Sequence, residues 1–406
     1  NNQLQTPADT STSVAFYSLQ AVHTPCPSQD APAGLTRVLH VINGEHYSGA
    51  ERVQDLLALR LPEFGYEVGF ACVKPGQFAY NRKSKDSQVH WAAMRGRLDL
   101  RAVWRLVEIV RENDYQLLHA HTPRTVMISR LASAWTNVPL VYHVHSPTSR
   151  DSTRSWTNRV NTWIEKLSIR GAARMIPVSQ SLGRHMQSEG VSPGLLKVVP
   201  NGVPALASVP HRTKPTGQWT IGTVALFRPR KGTEVLIDAL AELRNENLPA
   251  KLLCVGGFET DEYEQHLKSR VAEHGLEEFV EWTGFTSDVN AQLQRMDLFS
   301  LPSLFGEGLP MVVLEAMAAG VPVVATEVEG VPEAIQSGVD GVIAQPNDPA
   351  DLANAIACVM QGKLDWEQLR LSALVRQHDH FSDRSMAAGV AAVYDEILER
   401  DRASEQ

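Results

Sequence analysis

The chain has 406 residues, 43% hydrophobic and 21% charged, a composition that excludes a disordered or fibrous body and a length that calls for two cores of similar size. No uncharged apolar run approaches the about 18 residues of a membrane-spanning helix. The net charge of −8 conceals a division: residues 1–186 hold 21 Lys/Arg against 14 Asp/Glu, and residues 187–406 hold 17 against 32.

A cationic first half can attract phospholipid headgroups, lipid phosphates or an acidic glycan. A merely solvated basic surface explains the same counts equally well. No nucleic-acid partner is expected. Cys26, Cys72, Cys254 and Cys358 are scattered and form no C-x-x-C pair, so a reducing cytoplasmic setting is the simplest expectation, with contact at the inner face of the membrane left open.

Residues 1–34 are rich in Thr, Ser, Pro and Ala without periodicity, which reads as a flexible extension. No cationic segment precedes Ser13–Val22, so no secretory leader is expected. From Leu35, short apolar runs at Arg37–Ile42, Glu67–Val73, Gln116–His121, Leu140–His145 and Met175–Ser179 alternate with amphipathic segments at Ala50–Leu61, Leu100–Glu112 and Thr125–Ala134. That alternation predicts a parallel sheet covered by helices over residues 35–203.

Residues 204–218, with Pro204, Pro210 and Pro215, read as a linker. A second alternation over 219–380 places strands at Trp219–Leu226, Lys251–Gly256, Val280–Thr283, Leu298–Leu301, Pro322–Thr326 and Gly341–Ala344. Met386, Val390, Val393, Tyr394 and Ile397 then fall at helical spacing within 381–406, predicting a closing helix that packs back on the first domain. The fold class is therefore α/β, two doubly wound Rossmann-like domains facing across a cleft, where a ligand belongs.

The stretch Pro302-Ser303-Leu304-Phe305-Gly306-Glu307-Gly308-Leu309-Pro310, followed by the helical run Met311–Ala319, carries most of the chemistry. A helix beginning there aims unpaired N–H groups and the positive end of its dipole at the strands' carboxyl edge, which suits a phosphate or a sugar hydroxyl. Glu315 sits in an apolar helix and needs a partner. A carboxylate is a good acceptor for the paired hydroxyls of a ribose or hexose. Arg228, Arg230 and Lys231 follow strand Trp219–Leu226 and place cations at the cleft edge, where a departing diphosphate develops charge; Arg230 reads as the most solvated of them.

His119 and His121, like His143 and His145, alternate on predicted strands and so share a face. With no Asp or Cys to complete a ligand set, no metal is expected. Trp156 and Trp163, among Arg150, Arg154, Arg159, Lys166 and Arg170, fit a membrane-surface helix, and fit a packed helix better.

The string F-G-E-G-L-P-M-V-V-L-E-A-M-A-A-G-V-P-V-V-A-T resembles the signature of the family-4 glycosyltransferases. The resemblance runs from about Val38 to about Leu398 and includes V-S-Q-S-L, V-V-P-N-G-V, G-T-V-A-L-F-R-P-R-K-G, L-L-C-V-G-G, W-T-G-F-T-S-D-V and G-V-P-E-A-I-Q-S-G-V-D-G. It implies the GT-B architecture and retaining transfer from a nucleotide-sugar, UDP-sugar before GDP-sugar, to a glycan, lipid-linked or small-molecule acceptor, with no cofactor and no metal.

By that resemblance the donor is held by Gly49, Arg228, Lys231, Phe285, Glu307, Gly308, Leu309, Pro310, Met311 and Glu315. His145, Glu307, Arg228 and Lys231 carry the catalytic roles, and His121 and Arg124 lie on the acceptor side. Two departures stand out. Ser48 occupies the place of the family's first loop glycine, and Leu226 that of its arginine, which makes Arg228 the nearest substitute. A nucleotide-sugar epimerase, a glycan phosphorylase or a catalytically decayed carbohydrate-binding protein are the alternatives on such a fold.

Overall fold

The computed structural model describes residues 34–47, 49–96, 99–146, 169, 171–205 and 211–404. The expected extension over 1–33, Ser48, the Trp156 and Trp163 segment and linker residues 206–210 lie outside these. Six parallel strands form the first sheet: β1 (Thr36–Ile42), β2 (Tyr66–Cys72), β3 (Val89–Trp91), β4 (Leu117–Ala120), β5 (Leu140–Val144) and β6 (Arg174–Pro177), in the order β3-β2-β1-β4-β5-β6. The second comprises β7 (Trp219–Val224), β8 (Ala250–Val255), β9 (Val280–Gly284), β10 (Leu298–Leu301), β11 (Val323–Thr326) and β12 (Val342–Ala344), in the order β12-β11-β10-β7-β8-β9.

Both orders reverse beside the first strand of the sheet, the place where doubly wound folds open a ligand crevice. β1, β4 and β5 are apolar or histidine along almost their whole length because helices cover both faces. The helices that position the site are α1 (Gly49–Arg60), α2 (Arg101–Glu112), α3 (Pro123–Thr136), α4 (Gln180–Ser188), α5 (Thr233–Asn245) and α6 (Met311–Ala318). Two more, α7 (Trp366–His380) and α8 (Asp383–Ser404), close the chain.

Sequence features set the helix boundaries. Thr122 caps α3 through a reciprocal bond with Thr125, and Pro123 supplies a first residue with its φ already fixed. In α2, Ala102, Val103, Leu106, Val107 and Val110 form the buried stripe, leaving Trp104 half exposed. Pro310 is the N-cap of α6, one residue outside the helix, so Glu307 lies in the preceding loop and no helical turn relates it to Glu315.

The chain crosses between the lobes twice, and the crossings bond to each other: Val203 N donates to Phe381 O at 2.9 Å and Asp383 N to Val203 O at 3.1 Å. α8 then lies on the first lobe, tied by Arg60 to Asp383 at 2.7 Å, Tyr66 to Asp395 at 2.5 Å and Arg174 to Glu396 at 2.6 Å. One continuous core joins the first sheet, α6 and α8. A second fills the far side of the β7–β12 lobe. Among the described residues no helix is long and apolar enough to cross a membrane.

Candidate functional site

Lys231 ends a short turn after β7, and the next residue holds it in place. Gly232 has φ +62°, and a Cβ there would lie 2.1 Å from Pro302 O. Only glycine lets this turn press against the β10–α6 loop. Lys231 Nζ therefore reaches the Glu307 carboxylate, which also accepts from Ser303 Oγ at 2.7 Å. Burial raises the Glu307 carboxyl, but Lys231 and Arg230 beside it hold it below its ordinary value. Burial lowers the Lys231 ammonium despite Glu307.

The three cations divide differently from the sequence reading. Arg230 is turned inward, donating to Gly306 O at 3.0 Å with its guanidinium 3.8 Å from Glu307. The expectation of a solvated Arg230 is thus corrected, because the loop carbonyls capture it. Arg228 pairs with Glu259 at 3.4 Å, and its charge still acts on Lys231.

Glu315 lies on α6 facing α1 of the other lobe, where Arg52 bonds its Oε1. Its Oε2 is buried with no hydrogen-bond partner among the described residues. Such an atom is costly unless a ligand meets it. Beside the start of α1, a Cβ on Gly49 would meet nothing within 4 Å, so open space adjoins that helix N-terminus.

The lobes touch at several further points. A Cβ on Gly308 would lie 2.1 Å from His145 O, and Asn201 Nδ2 donates to Leu309 O at 2.9 Å. Glu333 accepts from the first amides of α4, Gln180 N and Ser181 N, both at 2.6 Å, a carboxylate on the positive end of a helix. Glu329 accepts from Gly306 N at 2.9 Å and Glu307 N at 3.1 Å, filling the loop amides with an internal anion. Leu309 and Met311 are buried beside Pro310, whereas Phe285 is 76% exposed. Gly308→Ala is expected to hold the lobes apart, lowering turnover at least about tenfold while the melting temperature moves little; steady-state kinetics with a thermal melt checks this.

Five histidines pack on one face of the first sheet. His40 on β1 is in register with His119 on β4, and His121, His143 and His145 continue the row, with His119 stacked on His143 at 5.3 Å and 5° and His143 on His145 at 4.6 Å and 16°. Burial pushes His40 down to about 3 and His145 to about 4, and takes His119, His121 and His143 well below the ordinary value. All five are neutral at pH 7.

Ligand atoms of His40, His119 and His121, and of His121, His143 and His145, lie within 4.8 Å of one another. The rings of the second trio stack within 29° of one another, whereas His40 stands at 62° to His119 and 38° to His121. His121, expected on the acceptor side, is 3% exposed, and its nitrogens are 3.1 Å from His145 Nε2 and 3.1 Å from His40 Nδ1. Arg124, at the start of α3, is half-buried near Glu45.

Sequence reasoning did not reach Arg52, Asn201, Glu329, Glu333, His40 or Tyr394 as parts of this arrangement. Arg52 directly follows the Gly49-Ala50-Glu51 loop, a usable signal; the others become neighbours only through the fold.

Comparison with known proteins follows the same lines. The family description "Glycosyltransferase Family 4" matches residues 47–205 and "Glycosyl transferases group 1" residues 218–362, together more than half the chain. A phosphatidyl-myo-inositol mannosyltransferase of Mycobacterium leprae is 28% identical over 343 residues, 82% of this chain and 80% of that protein. An Escherichia coli UDP-Gal:alpha-D-GlcNAc-diphosphoundecaprenol alpha-1,3-galactosyltransferase is 25% identical over 66% of this chain and 72% of its own.

Among solved structures, Anabaena HepE in complex with UDP-glucose superposes with a TM-score of 0.77 at 25% identity, over 89% of this chain and 99% of that one. A sucrose-phosphate synthase of Thermosynechococcus elongatus gives 0.76 at 18% identity, over 90% and 100%, and shares the fold. With two facing six-stranded parallel sheets of GT-B type and both lobes matched, this chain belongs to the family-4, group 1 glycosyltransferases.

Proposed function

We propose that the enzyme transfers a hexosyl group from a nucleoside-diphosphate sugar, UDP-linked in preference to GDP-linked, with retention, to a glycan, lipid-linked or small-molecule acceptor of cell-envelope or polysaccharide synthesis. The observation that carries this reading is the buried Glu307–Lys231–Ser303 group in the loop before α6, whose first turn leads to Glu315, with an Oε2 that has no hydrogen-bond partner among the described residues. Ribose hydroxyls donate to Glu315 Oε2, Arg52 fixing the carboxylate; Lys231, with Arg228 or Arg230, neutralises the departing diphosphate; Glu307 and the Gly308–Met311 backbone hold the sugar. His145 completes the sugar site from the first lobe.

The names of the relatives support the donor and acceptor classes: a UDP-galactose enzyme acting on a diphosphoundecaprenol-linked sugar, a mannosyltransferase of an inositol lipid, and a neighbour complexed with UDP-glucose. No cofactor or metal is required in this scheme, since cations of the chain meet the diphosphate. Lobe closure excludes water and limits donor hydrolysis. Proton NMR of the reaction with UDP-sugar and a lipid-linked acceptor should show a product with the donor's anomeric configuration. An inverted product, or conversion of the donor with no acceptor present, would overturn the reading in favour of inverting or epimerase chemistry.

An anionic membrane surface is the partner this reading assigns to the cationic first lobe. Trp104 on α2 and Trp135 on α3 pack edge to face with ring centroids 4.1 Å apart, yet are 54% and 50% exposed, beside Leu100 and Leu131 at 57% and 40%. Arg101 and Arg105 flank Trp104, and Arg111 donates to Trp135 O at 3.0 Å. Exposed indoles next to arginines suit the headgroup boundary. Co-sedimentation with phosphatidylglycerol vesicles should fall several-fold in Trp104→Ser/Trp135→Ser, and no binding by the wild type would remove the membrane partner.

A further inference from the structure

Four of the five histidines are joined by hydrogen bonds, and His143 is stacked among them with neither ring nitrogen bonded among the described residues. Tyr394 on α8 reaches into the row, its hydroxyl 2.5 Å from His119 Nδ1 and 3.1 Å from His40 Nε2. His40 Nδ1 is 3.1 Å from His121 Nε2, and His121 Nδ1 is 3.1 Å from His145 Nε2. Both nitrogens of His40 and of His121 are thereby used, and the chain of bonds ends at two ring nitrogens without partners among the described residues, His119 Nε2 and His145 Nδ1.

A neutral imidazole has one N–H and one lone pair, so in such a chain the proton position of one ring fixes that of the next. Two arrangements let the Tyr394 hydroxyl donate within the row; a third, in which His119 Nδ1–H and His40 Nε2–H both donate to the Tyr394 oxygen, leaves the buried O–H without an acceptor in the row and is the costlier. In the first, His119 Nδ1–H donates to Tyr394, the Tyr394 hydroxyl to His40 Nε2, His40 Nδ1–H to His121 Nε2, and His121 Nδ1–H to His145 Nε2, leaving the last N–H on His145 Nδ1. In the second every bond is reversed, and the unused N–H falls on His119 Nε2.

The ends differ in place, not in burial. Both end nitrogens are shielded from solvent, but His119 lies wholly in the core, whereas His145 follows β5 with its carbonyl against Gly308 of the donor loop. An N–H orphaned in the core costs more than a bare lone pair there, while an N–H at His145 can be met by a ligand. The first arrangement is favoured on both counts.

We propose that Tyr394 is a positioning residue that acts through His40 and His121 to fix the tautomer of His145, so that its Nδ1–H is presented as a donor to an oxygen of the transferred sugar or its phosphate. This rests on the placement of His145 at the donor site made above. It also gives α8 a task beyond packing: the last helix of the chain sets the proton position of a group on the opposite side of the sheet's histidine row. Hydrogen bonding at one ring nitrogen governs what the other can do.

The test is two-bond proton–nitrogen correlation NMR on the full chain labelled with 15N-histidine, with His145 assigned from its loss in His145→Gln. Wild type should show His145 protonated at Nδ1 and bare at Nε2. Tyr394→Phe should give a reversed or mixed pattern, with kcat about tenfold lower and the donor KM little changed. His119→Leu leaves His40 Nε2 as the only acceptor in the row for the Tyr394 hydroxyl and should keep the wild-type tautomer and most of the turnover, as should His119→Asn, whose amide can still donate to Tyr394 from near the Nδ1 position.

A bare His145 Nδ1 in the wild type would overturn the proposal, as would an unchanged tautomer in Tyr394→Phe. So would an equivalent of tightly bound zinc in the purified protein, since the row would then be a ligand set. The tautomer is read without any sugar donor, so its failure sinks the relay and leaves glycosyl transfer standing. A correct tautomer in a protein that turns over no nucleotide-sugar would instead sink the functional reading.

Discussion

Lys231→Ala is expected to lower donor turnover by about 10²- to 10³-fold, the usual consequence of removing a preorganised group from developing charge. It is also expected to cost about 3–5 kcal/mol of stability, because it leaves Glu307 charged, buried and without the ammonium that holds its carboxyl below the ordinary range. The two losses separate in Lys231→Met/Glu307→Leu. Replacing both ions by apolar groups removes the buried charge, so stability recovers in urea unfolding while turnover stays lost. Recovery of turnover with stability would contradict a role for the pair at the diphosphate.

Acidification supplies the second large effect. Burial depresses His40, His119, His121 and His143 below their unfolded value of about 6.5, so below that pH the unfolded chain binds more protons than the folded one. Stability is then fully present above about pH 6.5 and is lost as pH falls toward the depressed values, at about 1.4 kcal/mol per pH unit for each histidine. Four together give ~5 kcal/mol per unit, which exhausts an ordinary domain stability of about 5–15 kcal/mol within two or three units. Urea midpoints measured from pH 7.5 to 4.5 should fall steeply below 6.5, and His143→Leu should lessen the slope by about a quarter. A midpoint unchanged between pH 7 and 5 would show that these imidazoles are not buried neutral.

Much of the fold was legible because each lobe repeats one physical device. Runs such as Val38–Ile42 and Leu298–Leu301 are apolar on both faces, and helices with buried stripes separate them. β3 escaped notice because Val89–Trp91 is three residues at a sheet edge, partly exposed along its length, with too little alternation to mark it. The start of α6 at Met311 was legible, since Pro310 is tolerated as the cap before a helix or at its first residue but not further inside.

The site was legible where its residues are near in sequence, as from Ser303 to Glu315. Contacts made by folding were not. Arg52 and Glu315 are brought together only when α1 of one lobe meets α6 of the other, and Arg230 turns inward because two loop carbonyls capture it. The H-A-H and H-V-H pairs advertised a shared strand face. What joins them into a row, His40 on the neighbouring strand and Tyr394 on a helix that returns from the second lobe, depends on the order β1-β4-β5 and on the final crossing of the chain.

Nucleotide binding tests the central claim most directly. Thermal melts of the wild type, Glu315→Ala and Lys231→Ala should be compared with UDP, GDP, ADP, TDP and their sugar conjugates, because a ligand of the folded state raises the melting temperature by mass action, about 2.7 kcal/mol at a hundredfold excess over Kd. The account predicts a shift with UDP and UDP-sugars in the wild type that is lost in both variants. No shift with any nucleotide, or a shift of equal size in wild type and Glu315→Ala, would contradict it.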